Sequence, residues 1–359
     1  MKKNIILVIH DLKGNGAERV ILTLADAFLR QGHRCNIVCF KDLQELPSEK
    51  NIVPYIFPMK IFRWIPRKIR GRLIAPLFDV MIRRKFGTPD LVLSNLLPVD
   101  RILAHSQLNH VFIVIHNTFS KEFSSAMGKM TMSPKTRKML QDIYCRKPLV
   151  CVSEGVRDDL PHVFDCPIQA QTIYNPVDAD FIRQQARQTT PKQHALPSEY
   201  LLHVGKFNTA KRQDFLIKAY AKSKVSTPLV LLGQGPLKMH CEQLVKQLGI
   251  EKNVIFLGFA SNPYPIISRA KALLVSSDYE GLGMVILEAI VLGVAVISTD
   301  CDSGPREILP PENLIPVGHL EQFSQAIQDV DKQPQTYRCD LKSGFSQREA
   351  LQQYLSLIE

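Results

Sequence analysis

Residues 272–299 read ALLVSSDYEGLGMVILEAIVLGVAVIST. The stretch opens on four apolar residues, Ala272–Val275, and closes on a second apolar run, Val294–Ser298. Between them lie a polar loop with two glycines and an aliphatic segment, Met284–Leu292, that predicts a helix. Neither apolar run alternates, so both read as strands buried on both faces of a parallel sheet. Strand, loop, helix and strand make the repeating unit of α/β sheets, whose ligands bind beyond the carboxyl ends of the strands. The feature to explain is a pair of carboxylates, Glu280 in the loop and Glu288 in the helix, inside a segment that otherwise reads as core.

The same rhythm runs through most of the 359 residues. Strands are expected at Ile5–Ile9, Cys35–Phe40, Leu91–Ser94, Phe112–His116 and Leu149–Val152, then at Tyr200–Val204, Leu229–Leu232 and Val254–Phe256. Helical stretches such as Ala17–Gln31, Gln213–Lys222 and Leu237–Leu248 fall between them. The pattern pauses over residues 174–198, which are polar and proline-punctuated. The economical reading is two doubly wound, Rossmann-like α/β domains facing across a cleft: 1–173, a linker at 174–198, and 199–335. A helical tail, 336–359, would cross back to the first domain.

Composition narrows the class. Hydrophobic residues make up 45% and charged residues 22%, as in a soluble globular protein. Nothing is long enough to span a bilayer, and the apolar start NIILVI lacks the length and cleavage site of a signal peptide. The eight cysteines form no CxxC pair and several sit in apolar runs, which predicts buried reduced thiols, no zinc and a cytoplasmic location. Lys plus Arg is 45 against 34 for Asp plus Glu, a net +11, so partners carrying phosphate or other anions are expected. Nucleic acid is not expected, because no recognition module is present.

The loops after the strands carry the candidate chemistry. HDLKGNGAERV follows the first strand and opens a helix; Gly14, Asn15 and Gly16 would bring backbone amides close to an anion. Arg19 stands where a dinucleotide fingerprint needs its third glycine, which argues against a nicotinamide cofactor. His116 and Asn117 come directly after a strand, and Ser153 after another, where it reads equally as a helix cap. In the second half, Gly205, Lys206 and Lys211 follow a strand, and two cations there fit a diphosphate site and a solvated basic turn equally. Gly233 and Phe259 end the next two strands.

If Glu280 and Glu288 were both helical they would be roughly 12 Å apart along the axis. That is too far for the paired carboxylates of a retaining glycosidase, which need about 5 Å. They are expected instead to hold different ends of one extended ligand, each accepting from vicinal hydroxyls. The N–H groups of Gly281, Leu282, Gly283 and Met284, at the helix start, could hold a phosphate between them.

With these residues in view, the sequence resembles the retaining glycosyltransferases of the GT-B fold, chiefly glycosyltransferase family 4. The likeness rests on Glu280 and Glu288 as a Glu-x7-Glu pair, GNGAER, His116, the pair Lys206 and Lys211, YNPVD at 174–178 and TDCDSGPREIL at 299–309. It covers roughly residues 4–310. The resemblance implies transfer of a sugar, hexosyl or N-acetylhexosaminyl, from a nucleotide diphosphate to a glycan or glycolipid acceptor in bacterial lipopolysaccharide or other surface polysaccharide assembly. Uridine diphosphate is the commonest donor among such relatives. Residue by residue, it implies Gly16 near the diphosphate or acceptor, and Lys206 and Lys211 on the diphosphate. It puts Glu288 on the ribose, Glu280 on the sugar hydroxyls, and His116 beside the sugar as an orienting group or proton acceptor. No metal is implied, and the triplets Asp178–Asp180 and Asp300–Asp302 read as structural. Two rivals stay open: a nucleotide-sugar epimerase of the same fold, and a non-catalytic nucleotide-binding protein.

Residues 60–87, KIFRWIPRKIRGRLIAPLFDVMIRRKFG, stand apart. Nine cations face one acid, Asp79, with Phe62, Trp64, Ile65, Ile69, Leu73 and Ile74 interleaved. The segment reads as a surface for an anionic inner membrane at its cytoplasmic face, as a trap for a phosphorylated oligosaccharide acceptor, or as an ordinary amphipathic helix on the first sheet.

Overall fold

The computed structural model describes residues 1–13, 16–43, 52–124, 132–190, 192 and 196–359. The chain divides into two compact units, Met1–Pro176 with Gly344–Glu359, and Val177–Ser343.

In the first unit the strands are β1 (Asn4–Ile9), β2 (Arg34–Cys39), β3 (Tyr55–Ile56), β4 (Leu91–Asn95), β5 (Val111–Ile115), β6 (Leu149–Cys151) and β7 (Ala170–Thr172). They form one parallel sheet in the order β3-β2-β1-β4-β5-β6-β7, with Ile5 of β1 paired to Cys35 on one side and Leu91 on the other. The helices are α1 (Gly16–Arg30), α2 (Arg67–Phe86), α3 (Leu97–Leu103), α4 (Phe119–Glu122), α5 (Pro134–Tyr144) and α6 (Glu154–Val163). Ile6, Val8, Val38 and Val92 of the sheet pack against Ile74, Phe78 and Ile82 of α2. Gly71 lets α2 cross α3 closely, since a Cβ there would lie 1.9 Å from the Arg101 carbonyl oxygen. Within α3, the buried Asp100 accepts from Ser94 Oγ at 2.6 Å and Tyr144 Oη at 2.9 Å, tying β4, α3 and α5 together.

The second unit begins with α7 (Ala179–Ala186). Its strands are β8 (Leu201–Val204), β9 (Leu229–Leu232), β10 (Val254–Gly258), β11 (Ala272–Val275), β12 (Ala295–Thr299) and β13 (Leu314–Ile315). Its further helices are α8 (Gln213–Ser223), α9 (Lys238–Gln247), α10 (Tyr264–Ile267), α11 (Met284–Val291), α12 (Pro305–Ile308) and α13 (Leu320–Lys332). The parallel order is β10-β9-β8-β11-β12-β13, so the winding direction reverses between β8 and β11. Crevices open at such a reversal, and the loops after β8 and β11 border this one. The last helix, α14 (Gln347–Ser356), counts with the first unit: it packs on α1, and Phe345 just before it meets the Tyr174 ring at 4.8 Å.

Each expected strand is present within a residue or two, because continuous apolar runs can satisfy burial on both faces only inside such sheets. β3, β7 and β13 were not expected; they are two or three residues long and lie toward the sheet edges. The division falls at Pro176 and Val177 instead of spreading over 174–198. The polar stretch there contains α7, started by Asp178, whose Oδ1 accepts from Phe181 N at 3.0 Å, and packed on α10 and α11. The reading of all eight cysteines as thiols also needs correction. Cys145, at the C-cap of α5, is disulfide-bonded to Cys166 after α6, with Cα atoms 6.3 Å apart. The two are 21 residues apart in sequence, and only the fold brings them within bridging range.

Candidate active site

In the second unit, Lys211 and Glu280 meet. Lys211 Nζ lies 2.6 Å and 2.7 Å from the two Glu280 carboxylate oxygens, and Ser277 Oγ donates to Oε1 at 2.6 Å. Glu280 is buried, and the Lys211 side chain keeps about a quarter of its surface exposed, 24%. Both residues sit in loops that leave the carboxyl ends of the two strands at the winding reversal.

The loop carrying Lys211 is braced along its backbone. Lys211 N donates to Asn208 Oδ1 at 3.0 Å, Lys211 O accepts from Ser276 Oγ at 2.8 Å, and Ala210 O accepts from Asp278 N at 2.8 Å. Arg212, in the left-handed region at φ 47°, bridges Asp278 and Asp214. Lys206 is exposed, but its carbonyl oxygen accepts from Gln213 Nε2 at 3.0 Å. That amide also donates to His203 Nε2 at 3.2 Å, while His203 Nδ1 donates to Leu274 O at 2.8 Å. The carbonyls can only accept, so His203 carries its proton on Nδ1 and is neutral. Burial in the strand pushes its pKa down to about 4.

The glycines mark close approaches between neighbouring loops. A Cβ on Gly233 would stand 2.0 Å from Gly205 O, and one on Gly235 would stand 2.3 Å from Phe207 O. Gly205 itself leaves room for the His203 ring. Phe259 lies just past β10, and its carbonyl accepts from Lys192 Nζ. Around Glu280 a third loop closes in: Ser303 Oγ donates to Glu280 O, while Thr299 Oγ1 and Cys301 Sγ reach Ser277 O. A Cβ on Gly304 would fall 2.4 Å from Leu282 O. The TDCDSG block thus supports the Gly281–Gly283 loop from behind.

Gly283, at φ 87°, is the N-cap of α11 and brings no side-chain cap to its first turn, where Ile286 N donates to Gly283 O at 2.8 Å. Met284 opens this helix, and Glu288 lies one turn in, buried, accepting from Tyr264 Oη at 3.3 Å. Phe181 of α7 packs edge-on to Tyr264 at 6.3 Å. His203, Gln213, Ser277, Ser303 and Tyr264 were missed by sequence reasoning. The one available signal was a histidine inside an apolar strand run, which must find partners when buried.

In the first unit, His116 Nε2 lies 2.8 Å from Asn95 Oδ1. The Asn95 amide nitrogen is spent on Val8 O and Leu93 O, so the proton sits on His116 Nε2 and the lone pair on Nδ1. Burial of the ring pushes its pKa down to about 4. Asn117 Oδ1 accepts from Thr118 N at 3.0 Å, and Ser153 Oγ accepts from Val156 N, capping α6. Gly16 is the first residue of α1 and its Cβ position is open; Gly14 and Asn15 lie outside the described residues. In the Asp triplets, Asp178 caps α7, Asp180 lies 3.5 Å from Arg183, and Asp300 and Asp302 lie 3.0 Å and 3.9 Å from Arg306. Among the described residues, no group of three or more His, Cys, Asp or Glu side chains could hold a metal ion.

Two family descriptions match adjoining parts of the chain: "Glycosyltransferase Family 4" over residues 14–181 and "Glycosyl transferases group 1" over residues 185–343. A Campylobacter jejuni N-acetylgalactosamine-N,N'-diacetylbacillosaminyl-diphospho-undecaprenol 4-alpha-N-acetylgalactosaminyltransferase is 35% identical over 44% of this chain and 42% of its own length. The lipopolysaccharide 1,6-galactosyltransferase of Salmonella typhimurium is 28% identical over 55% of this chain and 56% of its own. The chain spans about half the length of these curated relatives. Among solved structures, Anabaena HepE in complex with UDP-glucose superposes with a TM-score of 0.75 at 17% identity, covering 99% of this chain and 98% of that one. S. aureus TarM, solved with UDP, gives 0.73 at 13% identity, covering 99% and 100%. Two matches laid end to end along the chain, each on its own parallel α/β sheet, place this protein in the family 4 glycosyltransferases of the GT-B fold.

Proposed function

We propose that the protein transfers a hexosyl or N-acetylhexosaminyl group from a uridine diphosphate sugar to a glycan or glycolipid, with retention at the anomeric carbon. The pathway would be bacterial lipopolysaccharide or surface polysaccharide assembly, at the cytoplasmic face of a membrane. The observation that carries this reading is the Lys211–Glu280 pair, set on braced loops at the winding reversal and followed directly by the N-terminus of α11. The Anabaena and S. aureus structures, solved with UDP-glucose and UDP, support the choice of nucleotide.

In this reading Lys206, Lys211 and the amides of Gly281–Met284 take the diphosphate and stabilise the negative charge that builds as it departs. With that charge met by cations and amides, the reaction needs no metal. Glu280 is held by Lys211 and Ser277, which makes it a poor nucleophile and a good acceptor for sugar hydroxyls. Glu288 takes the ribose, with Tyr264 fixing its carboxylate. His116, neutral above about pH 4, is too weak a base to serve as a main proton acceptor at neutral pH, which leaves it the orienting role that the resemblance implies. The C1–phosphate-oxygen bond breaks as the acceptor oxygen bonds to C1 on the same face, and the acceptor's proton leaves with the diphosphate.

The test is a thermal-shift panel of nucleoside diphosphates and their sugars, followed by product analysis with an acceptor. A ligand at a hundred times its dissociation constant should stabilise by roughly 2.7 kcal/mol. Stabilisation by none of them refutes the donor site. Conversion of the donor without acceptor would point to an epimerase, and binding without any turnover to a non-catalytic protein.

A further inference from the structure

Helix α2 carries apolar residues on two faces. Ile74, Phe78 and Ile82 point into the core, while Ile69, Leu73, Leu77 and Val80, three and four residues apart, lie exposed along the opposite side. A row of large apolar side chains on the solvent side of a helix marks an interaction surface more often than it occurs by chance. The exposed row runs roughly 17 Å. The turn just before the helix adds two more exposed apolar side chains, Ile61, 65% exposed, and Trp64, 80% exposed. Arg70 fixes that turn against the helix, donating to Arg63 O at 3.0 Å and to Ile65 O at 2.6 Å, so the row is presented on a rigid support.

Charge selects the occupant. Lys60, Arg63, Lys68, Arg72, Arg83 and Arg84 are exposed around the row. The one acid of the segment, Asp79, is buried at 5% exposure and accepts from Ser106 Oγ and Gln107 N, each at 2.6 Å. The outward side is therefore apolar at its centre and cationic at its margins, with no acid in this segment to offset it. A second copy of this chain would bring like charges together across a two-fold contact. A soluble acidic glycan would leave Leu73, Leu77 and Val80 in water. An anionic bilayer satisfies both the charges and the apolar row.

We propose that this face, Ile61 and Trp64 together with the outer row of α2, docks the protein on a bilayer containing anionic lipid. This goes beyond the donor chemistry and does not depend on it, because docking is read with no nucleotide present. Trp64 is the only tryptophan in the chain, so its fluorescence reports directly from the site. The full chain is titrated with phosphatidylcholine vesicles, with and without phosphatidylglycerol.

The expected result is a shift of emission to shorter wavelength with the anionic vesicles only, reversed by salt. Each cation should contribute about fivefold to partitioning, so Arg72→Gln with Arg84→Gln should weaken it about 25-fold. Leu73→Ser with Leu77→Ser should weaken it at least tenfold, by withdrawing apolar area. Unchanged melting of these variants would show that the fold is intact, since all four side chains are exposed. Emission that ignores both vesicle types overturns the proposal, as does an equal shift with neutral lipid. A shift that appears on raising protein concentration without lipid assigns the face to a second copy and also overturns it.

Discussion

Replacing Glu280 by Gln separates the two jobs assigned to the loops of the second unit. The side chain keeps its shape and can still meet Ser277, but the ion pair with Lys211, at 2.6 Å and 2.7 Å, is gone. Lys211 is then released from an anion that competes with the diphosphate. Affinity for UDP alone should therefore hold or tighten by a few-fold. The sugar-bearing donor should fare worse, because a charged acceptor for its hydroxyls has become neutral. A hydrogen bond to a charged group is worth about 1.5–3 kcal/mol, so kcat/KM should fall roughly 10- to 100-fold. Isothermal titration with UDP and initial rates with the sugar donor read the two effects separately. If UDP affinity drops in step with kcat/KM, Glu280 builds the phosphate site instead of reading the sugar, and the division of labour argued here is wrong. Lys211→Met supplies the converse: both UDP affinity and turnover should fall, each by about 10-fold or more.

Two further outcomes are expected. Gly304→Ala puts a Cβ 2.4 Å from Leu282 O at φ 67°, so the Gly281–Gly283 loop must move and donor affinity should drop at least tenfold; Gly249→Ala, at φ 66° but in open space, should cost about 1 kcal/mol of stability and leave donor binding alone. His203 is neutral in the folded protein with a pKa of about 4, below its ordinary value, so the unfolded chain binds the extra proton between pH 6.5 and 4. Its stabilisation is present above pH 6.5 and is lost as pH falls through that window, by an amount on the order of 3 kcal/mol; hydrogen-exchange protection of β8 and β11 should follow this slope, and His203→Gln should flatten it.

The sheets were legible because burial on both faces leaves one kind of sequence, and runs such as Leu229–Leu232 show it without ambiguity. Placement was legible too: Lys211 and Glu280 read as lying on loops after strands, and they do, although their contact with each other could not be read from the sequence. What stayed hidden depends on distance in sequence. Ser303 supports the carbonyl of Glu280 from 23 residues away, and Tyr264 reaches Glu288 across 24. Serine, threonine and tyrosine are common enough that no pattern singles these out. The segment 174–198 misled for a different reason. Its polarity suggested a linker, yet Asp178 caps a helix there whose Ile182 is buried, and one buried apolar side chain in a short helix leaves little periodicity to read.

The close backbone contacts around the site have a common physical meaning. Gly233 against Gly205, Gly235 against Phe207 and Gly304 against Leu282 each bring main chains together where a side chain cannot fit. Side-chain donors then lock the same loops: Gln213 on Lys206 O, Ser276 on Lys211 O, Ser303 on Glu280 O. A loop held this way is ordered on folding, so the diphosphate proposed above would meet little further ordering cost on binding. His203 stands at the root of this arrangement. Its neutral ring accepts from the amide that fixes Lys206, and a protonated ring would present a donor where the amide also donates. The low pKa of His203 is therefore a condition for the geometry of the loop carrying Lys206 and Lys211, and acid should loosen that loop in the same pH window in which it destabilises the sheet.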